Sequence, residues 1–185
     1  MISQKKSAKL CQKSIRIAED ENGHNQVVSY AIIDKRTKEC FIHYFEHLQR
    51  LLPNVSIFLT DRNITQIEAL KTVWPNATIL FCNVHIGRNI KDKVGMEMFD
   101  LYKKVISGSA PEEQLRAAFK EKNSMNVSKI SNFLQKLIEC APCWLPSYVN
   151  QHHHRGNVTT NRVEGFFGQL KVRINHEVQF LNQLK

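Results

Sequence analysis

Two short apolar runs organise the middle of the chain. Val55-Ser56-Ile57-Phe58-Leu59-Thr60-Asp61 is β-rich and stops at an acid, and Ala77-Thr78-Ile79-Leu80-Phe81-Cys82 repeats the pattern. Near-continuous apolar runs of this length read as buried parallel strands. Between them lies a helical pattern. Thr65 with Glu68 reads as a capping box, and Ile67, Leu70, Val73 and Trp74 form an apolar stripe that Pro75 ends. A further helix opens at Asn83-Val84-His85-Ile86. The unit is strand–helix–strand–helix, so the fold class is α/β.

Upstream, Ile15–Ala18 and Gln26–Ile33 read as strands joined at the turn signal Asn22-Gly23. Cys40 to Leu52 fits a helix through Phe41, Phe45, Leu48 and Leu52. Downstream, the pattern from Ile86 to Tyr148 is helical. Met98, Leu101, Tyr102 and Val105 mark one stripe, and Leu115, Ala118 and Phe119, after Pro111-Glu112, mark another. Phe133, Leu134, Leu137 and Ile138 mark a third. Near the end, Val163, Phe167, Leu170 and Ile174 share one azimuth of a helix. Glu164, Gly168, Lys171 and Asn175 gather on a second face, which unites an acid, a glycine and a base on accessible surface.

Composition agrees with one globular α/β unit. The 185 residues are 42% hydrophobic, too apolar for a disordered chain and long enough to bury a core. No apolar run reaches membrane-spanning length and no secretory signal is visible, so no membrane partner is expected. Lys and Arg number 26 against 17 acids, a formal net charge of +9. That favours an anionic partner, with nucleic acid the natural candidate. The cations are dispersed along the chain, so only the fold can gather them. Five cysteines, an odd count, argue for reduced thiols. Cys82-x-x-His85 and Cys140-x-x-Cys143 each have the spacing of zinc ligands, with the histidines at 152–154 as a further source. Each also has a simpler reading, as core beside a strand end and as packing under the turn at Trp144.

The ordered set of segments resembles the transposases of Mutator-like elements. The matching stretches are IFLTDRNITQIEALKTVWPNATILFCNVHIGRNI and CWLPSYVNQHHHRGNVTTNRVEGFFGQLK. The resemblance implies a catalytic Asp at the end of a buried strand, here Asp61. It implies a Cys-x-x-His pair after the next strand, here Cys82 and His85. It places a Trp-x-x-x-Tyr element, Trp144 and Tyr148, ahead of a last acid in a T-x-N-x-x-E pattern, Glu164. It implies a ribonuclease-H-like mixed sheet with flanking helices over residues 15–185, after a basic polar tail at 1–14. Residues 86–150 would be a helical insertion before the last catalytic helix. Metal-dependent cleavage and transfer of DNA strands in the nucleus would follow, with Asp61 and Glu164 holding Mg²⁺ or Mn²⁺, hard cations that prefer oxygen. Arg62, Arg88, Lys171 and Arg173 would face the DNA. A homo-oligomer is left open.

The first catalytic Asp of that pattern has no counterpart before Glu19, so the chain is expected to begin after the first catalytic strand. A competing reading makes Ile15–Ala18 the first strand and Cys40–Phe45 the third, and promotes Asp20 to the missing acid. A non-catalytic, domesticated DNA-binding or regulatory protein that keeps the fold is the alternative function.

Overall fold

The computed structural model describes residues 12–19, 25–33, 36–124, 128–152, 160 and 165. Glu164, Lys171, Arg173 and Asp20 therefore lie outside the described residues, as does the Asn22-Gly23 turn. Contacts divide the chain into two compact units, which separate the N-terminal hairpin from the two strands at the centre of the sequence pattern.

The first unit contains β1 (Gln12–Glu19), β2 (Asn25–Ile33), α1 (Lys38–Leu51) and α2 (Ile64–Val73). The strands pair antiparallel, with Gln12 opposite Ile33, and the register shifts between Arg16 and Ile17. The hairpin expectation holds, and β1 starts three residues before Ile15. Residues 40–45 are helical. That removes the third strand on which the competing assignment of Asp20 relied. The Thr37 side chain caps α1 by accepting from the Cys40 amide at 3.4 Å. This supplies one of the partners that a helix start otherwise lacks. Phe41, Phe45 and Leu48 are its buried stripe, as read from the sequence.

On α2 the outcome differs. The helix begins at Ile64, so Thr65 stands inside its first turn and is not a cap. Asn63, a better cap residue type, precedes it. The buried face carries Gln66, Ala69, Leu70 and Val73, while Ile67 is only half-buried. Leu70, Val73 and Trp74 of the expected stripe are buried, Trp74 from just past the helix end and edge-on to Phe45, with ring centroids 6.2 Å apart. Gln49 of α1 donates to the Val73 carbonyl at 2.7 Å and satisfies a carbonyl at the end of α2.

The second unit contains β3 (Ile57–Thr60), β4 (Thr78–Phe81), α3 (Asn83–Val94), α4 (Met96–Ile106), α5 (Glu112–Ser124), α6 (Ser128–Glu139), a 3-10 turn at Ala141–Cys143, and α7 (Pro146–Val149). β3 and β4 are parallel neighbours in the register Ile57 to Thr78 through Thr60 to Phe81, as expected. Among the described residues the strands form two separate two-stranded sheets, so no single mixed sheet is formed there.

The helical stretch matches its stripes. Met98, Tyr102 and Val105 of α4, Leu115 and Phe119 of α5, and Phe133, Leu134 and Leu137 of α6 are buried. Trp144 closes this core. It is fully buried, donates its indole N–H to the Leu137 carbonyl at 3.1 Å, and lies against the rings of Tyr102 and Phe119. The backbone amide and hydroxyl of Ser147 both donate to the Glu112 carboxylate at 2.6 Å, which ties the start of α7 to the start of α5. Among the described residues no helix is long and apolar enough to cross a membrane.

Candidate functional site

The chemistry-bearing residues of the second unit collect where β3 and β4 end. Asp61 follows β3 directly and is exposed, while Thr60 beside it is buried. The Thr60 hydroxyl donates to Asp61 Oδ1 at 3.4 Å, and the Thr60 carbonyl accepts from the Cys82 amide at 2.9 Å. That second bond extends the parallel ladder by one residue. It fixes the start of α3 against the end of β3, so the segments that follow the two strands begin at one level. Strand carboxyl ends of α/β sheets are where ligands are commonly met.

Cys82 is fully buried, and His85 is half-buried on the first turn of α3. Between them sits Thr160. Its amide and its hydroxyl both donate to Cys82 Sγ at 3.2 Å, and its hydroxyl lies 3.3 Å from His85 Nδ1. A hydroxyl has one proton. It can therefore donate to the sulfur or to the imidazole, and it can accept from the other. The sequence pointed to the Cys-x-x-His pair but missed Thr160, which stands at a free position of the T-x-N-x-x-E pattern. Only the fold joins residues 75 and 78 positions apart.

Cys140 precedes the 3-10 turn and Cys143 ends it, directly before Trp144. Burial pushes the Cys140 thiol above its ordinary value, against a partial offset from Arg62. Among the described residues no group of three or more His, Cys, Asp or Glu side chains gathers to hold a metal. The four-ligand zinc arrangement is thus not assembled there. Asp61 contributes one hard oxygen ligand set of the kind Mg²⁺ takes, and a lone carboxylate is less than such an ion needs.

Of the cations expected at DNA, Arg88 is exposed on α3. Arg62 is half-buried, with its guanidinium 5.6 Å from the centre of the Phe133 ring. Lys93 lies 4.5 Å from the same ring centre, a second cation that the sequence did not single out. Lys91 and Lys103 approach the Phe99 ring at 6.0 and 4.9 Å. With Arg88 they rim an apolar cavity of about 490 Å³ between α3 and α4, lined also by Gly87 and Tyr102. The fold therefore draws cations from α3 and α4, dispersed in the sequence, onto one helical pair. The buried Tyr102 hydroxyl donates to the Asn83 carbonyl at 2.7 Å, and burial holds its pKa well above the ordinary tyrosine range.

Comparison with known proteins gives two similarities. The family described as "Zinc finger SWIM domain-containing protein 1/3, RNaseH-like domain" matches residues 6–80. A transposase for insertion sequence element IS1201 of Lactobacillus helveticus is 25% identical over 174 residues, covering 90% of this chain and 46% of the relative. The chain thus spans about half the length of that curated relative. Together the two similarities support a transposase-related, ribonuclease-H-like fold for this chain.

Proposed function

We propose that this chain is a DNA-acting domain of the Mutator transposase type, with Asp61 and Glu164 as its metal-holding carboxylates and Mg²⁺ or Mn²⁺ as the ion. The observation that carries the reading is the meeting of Asp61, Cys82 and His85 at the carboxyl ends of two parallel strands, in the order the sequence pattern requires. Asp61 is exposed, so a cation can reach its carboxylate from solvent. Arg62 follows Asp61 directly, Arg88 and the lysines of α3 and α4 add positive charge to the same unit, and Lys171 and Arg173 follow Glu164 in the sequence. The ion, when bound, would lend Lewis-acid stabilisation to phosphoryl transfer. The protein's own part is to hold the carboxylates and the DNA backbone. In a nucleated cell the protein would work in the nucleus.

The test is Mn²⁺ binding by the wild type, Asp61→Asn and Glu164→Gln, because strand nicking is not expected where the first acid of the pattern has no counterpart before Glu19. Binding that both substitutions weaken supports the reading. Binding indifferent to both refutes it. A second reading has its own support, because the matching family carries a zinc-finger-protein description and not a transposase one. In that reading the domain binds DNA without cutting it. Salt-sensitive DNA binding with no dependence on Mn²⁺, unchanged by Asp61→Asn, would favour the second over the first.

A further inference from the structure

We infer that the cavity between α3 and α4 is a subsite for one unpaired nucleotide of a DNA strand, with the base inside on Asn83 and the phosphate outside on Arg88 and Lys91. The inference rests on the DNA-acting reading and deepens it. The whole subsite lies within the second unit.

The interior suits a flat apolar body. The cavity holds about 490 Å³, inside the roughly 300–1,000 Å³ of ordinary small-molecule sites. Val84 and Gly87 of α3 and Phe99 and Ile106 of α4 line it. The Tyr102 ring borders the same space, and its hydroxyl is already held by the Asn83 carbonyl at 2.7 Å. Tyr102 therefore offers the cavity its ring. Nucleobases stack on aromatic side chains because every base has a flat π-face.

One polar atom breaks the apolar lining. Asn83 lines the cavity and is only 9% exposed. Among the described residues, its side-chain oxygen is buried with no hydrogen-bond partner. An acceptor left in that state is destabilising, and a ligand that brings an N–H relieves it. The last torsion of an asparagine is soft, so the oxygen can turn toward the space its own residue lines. A fatty acid would match the apolar interior and the cationic rim but would leave this oxygen unpaired. An amino-bearing base satisfies it, and adenine is the base an asparagine amide matches best.

The rim supplies the charge. Arg88 and Lys91 are exposed and three residues apart on α3, so they lie on one face of the helix. Lys103 stands across from them on α4, but it pairs with Asp100 at 2.8 Å. The phosphate therefore falls to the α3 pair, where charge-assisted hydrogen bonds can hold it. A base stacked in a duplex cannot present its face and its amino edge to such a cavity, so the nucleotide must be unpaired.

The test measures binding of the full chain to labelled abasic oligodeoxynucleotides by fluorescence anisotropy. One strand carries a single central adenine, a second carries purine without the amino group, a third carries no base, and a duplex serves as comparison. The adenine strand should bind about tenfold more tightly than the baseless one. Loss of the amino group should cost about threefold to tenfold of that affinity. Asn83→Ala should erase the difference between adenine and purine, which a general loss of folding would not do. Val84→Phe, which fills the cavity, should bring the adenine strand down to the baseless one. Circular dichroism reports whether each variant is folded, and Asn83→Ala decides if Val84→Phe is not. Equal binding of adenine and baseless strands overturns the subsite, as does an adenine preference that survives Asn83→Ala. Duplex binding as tight as that of the adenine strand also overturns it. Free dAMP bound as tightly as the strand overturns the commitment to a strand, and displacement of the strand by laurate at equal concentration overturns the ligand class. Salt-sensitive duplex binding with no adenine preference sinks the subsite alone, whereas a chain that binds no DNA of any kind sinks the DNA-acting reading with it.

Discussion

Gly87→Ala is the sharpest test of the α3–α4 contact, because two effects of opposite sign meet there. In a helix interior, alanine is favoured over glycine by about 1 kcal/mol. Against this, a Cβ at position 87 would stand 2.8 Å from Tyr102 Cε1 and 3.0 Å from Phe99 Cε2. Both neighbours are ring atoms. The Tyr102 ring cannot retreat easily, since its hydroxyl is bound to the Asn83 carbonyl and its other side meets Trp144. Overpacking of this kind costs about 1–3 kcal/mol. The net expectation is a loss of about 1 kcal/mol, which for a chain of this size lowers Tm by about 2–4 °C. Thermal unfolding followed by circular dichroism reads it directly. A Gly87→Ala protein more stable than the wild type would show that helix propensity wins and that the two helices do not approach this closely. Combining the change with Phe99→Leu should recover part of the loss, because these neighbours share one contact.

Three further outcomes are expected. Gly95 joins α3 to α4 at φ +116° with open space around its missing side chain. Gly95→Ala should therefore cost about 1–3 kcal/mol from backbone strain alone, and a neutral result in urea unfolding would contradict that conformation. Stability should fall as pH rises past the ordinary thiol and tyrosine values of 9.0 and 10.0. Cys140 and Tyr102 have raised pKa values in the folded state, so they ionise first in the unfolded chain, and their contribution is present at lower pH and lost on the alkaline side. An unfolding midpoint that does not fall between pH 8 and 11, or falls equally in Tyr102→Phe, would refute this. DNA affinity should drop steeply with salt, and Arg88→Ala or Lys91→Ala should each reduce the slope of log K against log salt by about 1; an unchanged slope would remove that residue from the interface.

Much of the element order was legible because burial leaves a period in the sequence. Phe41, Phe45 and Leu48 repeat at helical spacing and are buried together. The two β-rich runs at 57–60 and 78–81 pair as parallel strands because runs with little polar alternation suit buried sheet positions. The α2 cap was misplaced because the helix starts one residue before Thr65, while the expected stripe is buried at Leu70, Val73 and Trp74. Asp61 and the Cys-x-x-His pair at the strand ends could be singled out from the sequence, since each has a local signature. Thr160 could not, because a threonine in a loop becomes informative only through partners that lie far away in the chain. The same holds for Lys93, whose distinction is a ring contributed by another helix.

The Thr160–Cys82 contact also sets an order of events. It closes a loop of 78 residues, whereas the Tyr102–Asn83 bond closes one of 19. Two doublings of loop length add about 1.2 kcal/mol of closure entropy. The α3–α4 pair should therefore form early, and Thr160 should dock late. During synthesis this docking must wait until the whole helical stretch has emerged, so a nascent chain acquires its core well before this contact. In the finished protein the reverse step, undocking of Thr160 with the helices intact, is the natural low-energy opening. Pulse-labelled exchange during refolding should accordingly protect the amides of α3 before that of Thr160.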